Sequence, residues 1–362
     1  MTRSEIAWRR LANQWITEPK PARPADVVAR LGAVQAQDYA GAKWAVGLRL
    51  QGATDDDIDR SFAAGEILRT HVLRPTWHFV LPADIRWMLE LTAPRVHAAS
   101  AYMVRKLELD EDTFRRSNDA LARALEGGHH LTRQELRGVL EQAGIAVHDG
   151  LRLGYLMMQA ELDGVVCSGP RRGKQFTYAL LAERAPQARR LDRQEALAEL
   201  AGRFFATRGP ATVHDLAKWS SLTVADARDG LEAVKAQLEV VVVDGQELWF
   251  PPREGPPASP APGDTPAAWL LSIYDEYIAG FQDRSAIMAA EIGDGLMALG
   301  NALSYVIVVD SQIVGSCRRT LQKSAVTVET NLMVPLAEAE QEAVAAAARR
   351  YGEFLGLPVA LA

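Results

Sequence analysis

Three times within 362 residues the sequence runs through short amphipathic helix patterns and then a pair of alternating β-like runs. No other feature limits the possible folds so strongly. The first unit has helix patterns over 6–15, 24–31, 39–50 and 56–64, an alternating run over 67–72, a turn at 73–76 and a second run over 77–81. The second begins near Asp110, where Thr132 and Glu135 form a capping box that opens a helix to about Ala143, closed by Gly144. A further helix over 151–162 leads to runs 165–168 and 175–180, which flank Gly169-Pro170-Arg171-Arg172-Gly173-Lys174. The third has helices opening near Gln194, Thr212 and Thr223, then runs 238–243 and 247–250 around Asp244-Gly245, a strong tight-hairpin signal. Helices followed by a hairpin is the order of a winged helix-turn-helix domain. The three units share spacing and turn logic but little residue identity, so they are architectural repeats rather than a short-period solenoid.

The remaining segments complete the expectation. Residues 84–106 read as a long helix with Pro94 inside it, predicting a kink. Residues 251–266 are rich in Pro, Gly, Ala and Ser, and β-runs at 305–309, 313–318 and 326–333 precede an Ala- and Glu-rich helix over 337–354, ended by Gly356 and Pro358. The predicted fold is α+β: three tandem winged helix-turn-helix domains plus a C-terminal mixed β domain closed by a helix. The boundaries are 1–106, 107–185 and 186–252 for the winged helices, 253–268 for a Pro-rich linker and 269–362 for the β domain. With 48% hydrophobic and 24% charged residues and no apolar run of membrane-spanning length, the chain reads as soluble, cytoplasmic and monomeric. Cys167 and Cys317 lack C-x-x-C spacing and nearby histidine clusters, so they read as buried thiols, with no metal site and no cofactor expected.

Gln35 and Gln37 lie in Val34-Gln35-Ala36-Gln37-Asp38, a short non-helical connector between the helix stopped by Gly32 and the helix starting at Tyr39. Residues two apart on such a connector point the same way, so two primary amides share one small volume. Asp38 stands where a helix N-cap stands, which is the simpler account of it than a general base. His78 is either a satisfied core group or a DNA contact, while Trp44 and Trp77 read as core. The net charge of −6 opposes nucleic-acid binding, but the acid is concentrated in 55–59, 108–112 and the C-terminal helix. A basic stripe is left: Arg69, Arg74, Arg86 and Arg95, then Arg171, Arg172 and Lys174, then Arg318, Arg319 and Lys323. The 169–174 loop is either a solvated turn or a phosphate contact on a wing, and it lacks the spacing and the Ser or Thr of a phosphate-binding loop.

Several of these segments together resemble the AlkZ-type winged-helix DNA glycosylases. They are Val34-Gln35-Ala36-Gln37, the hairpin Arg69 to His78, Tyr274-Asp275-Glu276-Tyr277 with Asp283-Arg284, and Val314-Gly315-Ser316-Cys317-Arg318-Arg319. The resemblance covers most of the chain in order. It implies tandem winged helices with a C-terminal β domain, excision of alkylated bases from double-stranded DNA, self-protection against genotoxic natural products in several members, and an active-site signature that Gln35-Ala36-Gln37 fits. Gln35 and Gln37 are then the catalytic pair, with Asp38, Arg74 and His78 as support. Arg69, Arg74, Arg171, Arg172, Lys174, Arg318 and Arg319 are then the DNA-binding residues, gathered on one concave side. Tyr274 to Tyr277 is expected to be structural, because two carboxylates repel phosphates. Alkylation at N3 or N7 makes a purine cationic, so it departs without protonation and two amides suffice to place the water. Lys43 is the nearest lysine, one turn into the next helix, so hydrolysis without a lyase step is expected. The rival reading is a non-catalytic winged-helix DNA-binding protein or transcription regulator, against which stands the absence of a long heptad seam.

Overall fold

The computed structural model describes residues 1–17, 20–252 and 265–362. Helix α1 (Arg3–Asn13) starts on a capping box between Thr2 and Glu5. The first winged helix follows as α2 (Pro24–Leu31), β1 (Val34–Gln35), α3 (Tyr39–Gly47), α4 (Asp55–Ala64), β2 (Leu68–Val72) and β3 (Arg74–Val80). Its sheet has the order β1-β3-β2. The glutamine connector therefore begins as a strand, with Val34 opposite Phe79 and Gln35 opposite His78. The hairpin reverses at Leu73, which has φ 64, rather than across 73–76, and β3 carries the extra residues Pro75 and Thr76 as a bulge. Leu73 is wholly buried and its N–H donates to Thr92 Oγ1, which holds a leucine in a conformation that side chains rarely adopt.

Helix α5 (Ile85–Lys106) runs on through Pro94 to the second winged helix. That unit is α6 (Glu111–Leu125), β4 (Leu131–Thr132), α7 (Arg133–Gln142), α8 (Gly150–Leu162), β5 (Val166–Ser168) and β6 (Thr177–Leu180), with sheet order β4-β6-β5. After α9 (Leu181–Arg184) the third unit comprises α10 (Arg193–Arg208), α11 (Val213–Ser220), α12 (Val224–Val234), β7 (Glu239–Val243) and β8 (Gln246–Phe250). Its first strand is reduced to one bridge between Ala211 and Trp249. Capping boxes at Thr132, Thr212 and Thr223 fix the starts of α7, α11 and α12. Asp244 and Gly245 both have positive φ, 50 and 76, as the tight turn between β7 and β8 requires.

The expected linker over 253–268 lies outside the described residues up to 264, and Ala268 already belongs to a strand. The C-terminal part is β9 (Ala268–Ser272), α13 (Glu276–Ala279), α14 (Ala290–Ala298), β10 (Tyr305–Val309), β11 (Gln312–Leu321), β12 (Val326–Leu332), α15 (Glu338–Leu355) and β13 (Val359–Leu361). The sheet order is β13-β12-β11-β10-β9, antiparallel except that β13 returns parallel to β12 after α15. Gly356 and Pro358 therefore turn the chain into a last strand rather than ending the structure. Among the described residues no helix is long and apolar enough to cross a membrane.

The cores do not follow the boundaries read from the sequence. Residues of the first winged helix and α1 share one core with the five-stranded sheet: Trp8 meets Trp269 edge-on at 6.0 Å, and Trp44 meets Tyr351 at 5.0 Å. The second winged helix has its own core around Leu121, Leu136, Leu156 and Val166. The third shares its core with α5, bringing Trp87 and Met88 against Phe204 and Trp219. Pattern alone could not show this, because the partner surfaces lie more than 100 residues apart in sequence.

The tightest joint between the first unit and the β domain is Gly47, where an added Cβ would stand 2.3 Å from Phe354 Cε2. Gly47→Ala forces Phe354 out of place, and we expect a loss of about 1–3 kcal/mol in urea unfolding. Phe354→Leu in the same chain should return part of it. Additive losses would refute the contact.

Candidate active site

The residues around Gln35 are gripped one by one, by groups from different parts of the chain. The Gln35 N–H donates to Glu276 Oε1 at 3.0 Å, and the Ala36 N–H donates to the Trp77 carbonyl at 2.7 Å. The Ala36 carbonyl accepts from Arg69 Nε at 3.0 Å. Among the described residues Gln37 Oε1 has only a long contact, 3.4 Å, from the Trp77 N–H, and the residue is exposed. Gln35 is buried at 8% exposure. The strand ends at Gln35 and the chain bends at Gln37, so one glutamine side chain is anchored and the other lies at the surface.

Arg74 fixes the orientation of Gln35. Its Nη2 donates to Gln35 Oε1 at 2.8 Å, and because a guanidinium only donates, the amide carbonyl must face it. The Gln35 NH₂ group has no hydrogen-bond partner among the described residues. The same Nη2 lies 3.1 Å from His78 Nε2, which must accept, while His78 Nδ1 donates to the Thr76 carbonyl at 2.9 Å. His78 is therefore a neutral, wholly buried imidazole in one tautomer. Burial first, and the Arg74 charge second, hold its pKa well below the ordinary value. It is the satisfied core group of the two alternatives.

Glu276, expected to be structural, lies directly behind the motif. Oε1 takes the Gln35 N–H, while Oε2 takes Arg208 Nη2 at 2.6 Å and Trp219 Nε1 at 2.8 Å. Burial pushes its pKa up, but the Arg208 and Arg74 charges and these hydrogen bonds outweigh it, so the carboxyl is held below its ordinary value. Neighbouring Asp275 forms a two-pronged pair with Arg49, both contacts at 2.8 Å, and accepts the Tyr277 N–H. Tyr277 donates its hydroxyl to the Ser311 carbonyl at 2.7 Å. Asp275 and Tyr277 brace the fold, whereas Glu276 reaches the motif itself.

The second winged helix walls the other side. Arg69 is stacked between Trp77 at 4.2 Å and Phe176 at 4.5 Å, and its N–H donates to Ser168 Oγ. Glu161 of α8 accepts from Trp77 Nε1 and pairs with His71 Nδ1. Trp77 is half-buried in this stack rather than a core residue. Arg171 folds back over the Tyr39 and Phe176 rings, with Nη1 3.7 Å from Asp59. Lys43 is ion-paired to Asp55 and, at 2.7 Å, to Asp59. Those carboxylates and Asp56 lie close enough together to share a cation, and the Lys43 ammonium already serves two of them.

Asp38 stands at the N-cap of α3 as expected, yet its side chain makes no capping hydrogen bond. In the second and third units Thr132 and Thr212 cap the helix directly after the first strand or bridge, whereas here Ala36 and Gln37 intervene between Gln35 and Asp38. The N3 position is Gly41, not an acid, and a Cβ there would meet Asp38 Oδ2 and Ser272 Oγ at 2.7 Å. The Asp38 carboxylate lies 3.9 Å from Arg319, whose guanidinium rests on Tyr305 and Tyr351.

The expected arginine stripe is not one surface. Arg69 is buried, and desolvation lowers its pKa to about 10, because its role is to brace Ala36. Arg74, Arg171 and Arg319 are half-buried and engaged as described. Arg172, Lys174 and Arg318 are exposed, Arg172 paired with Glu135 at 2.7 Å. Cys167 and Cys317 are buried free thiols, each pushed up to about 12 by burial. Sequence reasoning singled out Glu276 only as a structural residue and missed Glu161 and Arg208. For Glu161 and Arg208 the one visible signal was a charge inside an otherwise apolar pattern.

The His78 environment has a measurable consequence. An unfolded histidine takes up a proton near pH 6.5, but the folded one does so only well below that. Below about pH 6.5 the unfolded chain therefore binds more protons, and stability falls as pH drops, approaching about 1.4 kcal/mol per pH unit. We expect His78→Gln to flatten this slope between about pH 6.5 and 5 in denaturant titrations. An unchanged slope would refute a neutral His78.

A family model described as DNA glycosylase AlkZ-like matches residues 28–354. The chain is 27% identical over 342 residues to the interstrand DNA cross-link repair glycosylase of Streptomyces sahachiroi, covering 90% of each. It superposes on the solved structure of Streptomyces sahachiroi DNA glycosylase AlkZ with a TM-score of 0.79 at 23% identity, covering 99% of each chain, which establishes the shared tandem winged-helix fold. With a family match that runs from within α2, through the glutamine motif and the second and third winged helices, to the end of α15, the chain belongs to the AlkZ-like DNA glycosylases.

Proposed function

We propose that this DNA glycosylase hydrolyses the N-glycosidic bond of purines alkylated at N3 or N7, bulky or crosslinked adducts included, with Gln35 and Gln37 placing the attacking water. The observation that carries the reading is the commitment of the Gln35 carbonyl to Arg74. With that oxygen held, Gln35 can only donate into the site, whereas the Gln37 carbonyl, weakly engaged at 3.4 Å, is available to accept. One amide donating to the water oxygen and the other accepting its proton fix both position and direction. The bond from C1′ to the base nitrogen breaks with its electron pair going to the cationic base, which leaves neutral. Water adds to C1′ and then loses a proton to solvent. No strong base is required, in keeping with amides at these positions.

Lys43 supports hydrolysis without a lyase step, because its ammonium is occupied by two aspartates. Asp38 lies 3.9 Å from Arg319 and is assigned to holding the motif rather than to activating water. Regulation without catalysis is disfavoured by charge. The helix preceding the hairpin, which enters the major groove in regulators, carries Asp55, Asp56, Asp57 and Asp59 in the first unit and Asp226, Asp229 and Glu232 in the third. Phosphate contacts fall instead to exposed wing and hairpin cations such as Arg172, Lys174 and Arg318.

Gln37→Ala should lower single-turnover release of 7-methylguanine from duplex by roughly 10²-fold with binding little changed. Gln35→Ala should do the same, and the double variant should lose less than the product. Asp38→Asn should keep excision within about threefold, and its loss with intact folding and binding would make Asp38 the base. Lys174→Ala should weaken binding to damaged and undamaged duplex alike and reduce the salt slope by about one phosphate, leaving the rate of bound enzyme unchanged. Wild-type rates for both glutamine variants would overturn the assignment.

A further inference from the structure

We propose that Glu276 is a positioning residue of the glycosylase reaction, a buried carboxylate of the β domain that sets the backbone and, through Arg74, the side chain of Gln35. The proposal rests on the assignment of Gln35 and Gln37 to water placement. Three contacts carry it. Oε1 accepts the N–H of the very residue whose side chain enters the site, at 3.0 Å. Oε2 is fixed by two donors of the third winged helix, Arg208 Nη2 and Trp219 Nε1, so the carboxylate cannot rotate away. Arg74, which fixes the Gln35 amide, donates through Nη1 to the Trp219 carbonyl, so one tryptophan is tied to both the carboxylate and the guanidinium.

Charge strengthens the link. Arg208 is wholly buried and Arg74 half-buried, the Arg208 charge adds to the desolvation that lowers the Arg74 pKa, and Glu276 is the carboxylate that acts on both in the opposite sense. Neutralising it removes the carboxylate charge that both guanidiniums have nearby. It also sets an amide NH₂ against either the Gln35 N–H or the Arg208 and Trp219 donors, because a glutamine has one acceptor end where the glutamate has two. Either orientation displaces Gln35. Gln37, held from the Trp77 side, keeps its contacts.

The test compares Glu276→Gln, Gln35→Ala and the double variant, using single-turnover release of 7-methylguanine, equilibrium binding to the same duplex, and thermal unfolding. Glu276→Gln should slow excision by roughly 10²-fold while binding changes less than about threefold. Added to Gln35→Ala it should cost less than about threefold more, because both act through one side chain. A role confined to stability predicts losses that multiply, and that result, or Glu276→Gln excision within about threefold of wild type, overturns the proposal. Where Glu276→Gln does not fold, Glu276→Asp keeps the charge that Arg208 requires but withdraws the oxygen from Gln35, and roughly 10-fold slower excision at unchanged binding is expected. Excision by Glu276→Asp equal to wild type overturns it. If Gln35→Ala and Gln37→Ala themselves excise normally, the assignment of the glutamines fails instead.

Discussion

Two consecutive carboxylates, Asp275 and Glu276, are buried without exposure, each against an arginine from a different unit of the chain. Removing four charges from water costs far more than the pairs return unless every oxygen is satisfied, and here every oxygen is. Such pairs contribute little net stability over an apolar substitute. What they contribute is geometry, because only one arrangement of the first winged helix, the third winged helix and the β sheet brings Arg49 and Arg208 to adjacent residues. The glutamine motif sits on one of those two pairs. Its position is therefore decided by the assembly of the whole molecule and not by the local loop.

That dependence explains what could be read from the sequence and what could not. Local chemistry was legible: the Asp244-Gly245 turn has two positive φ values, and the Thr132, Thr212 and Thr223 caps open helices where the spacing places them. The α+β class and the three hairpin-bearing units follow from such signals. The destination of individual charges was not legible. Arg69 reads as a surface cation and is buried between two rings, and Glu276 reads as repellent to phosphate yet holds Gln35. Both have partners distant in sequence, and periodicity carries no information about those. Leu73 misled for another reason, since a leucine at positive φ is tolerated only where burial and the Thr92 hydroxyl hold it.

The acid that argued against a DNA partner is partly neutralised inside the protein. Lys43 takes Asp55 and Asp59, Tyr39 donates to Asp59, and Thr54 with Arg60 hold the Asp57 carboxyl below its ordinary value. A net charge of −6 summed over the chain overstates the repulsion felt near the motif. The arginines nearest the site are likewise spent on rings and carbonyls. The amides of Gln35 and Gln37 stand among these engaged charges, which fits the proposed orientation of neutral water beside a cationic base.

The missing cap on α3 places the site within the economy of the fold. The other two winged helices join strand to helix through a threonine that satisfies the first turn, a contact worth about 1 kcal/mol. The first forgoes it, lengthens the joint by two residues, and keeps glycine where an acid would complete a capping box. A more stable joint is available to the same topology, and it has no room for Ala36 and Gln37. The cap cannot be restored by filling Gly41, because a Cβ there would crowd Asp38 and Ser272, so this joint keeps a helix start that is weaker than its counterparts in exchange for the residues it exposes.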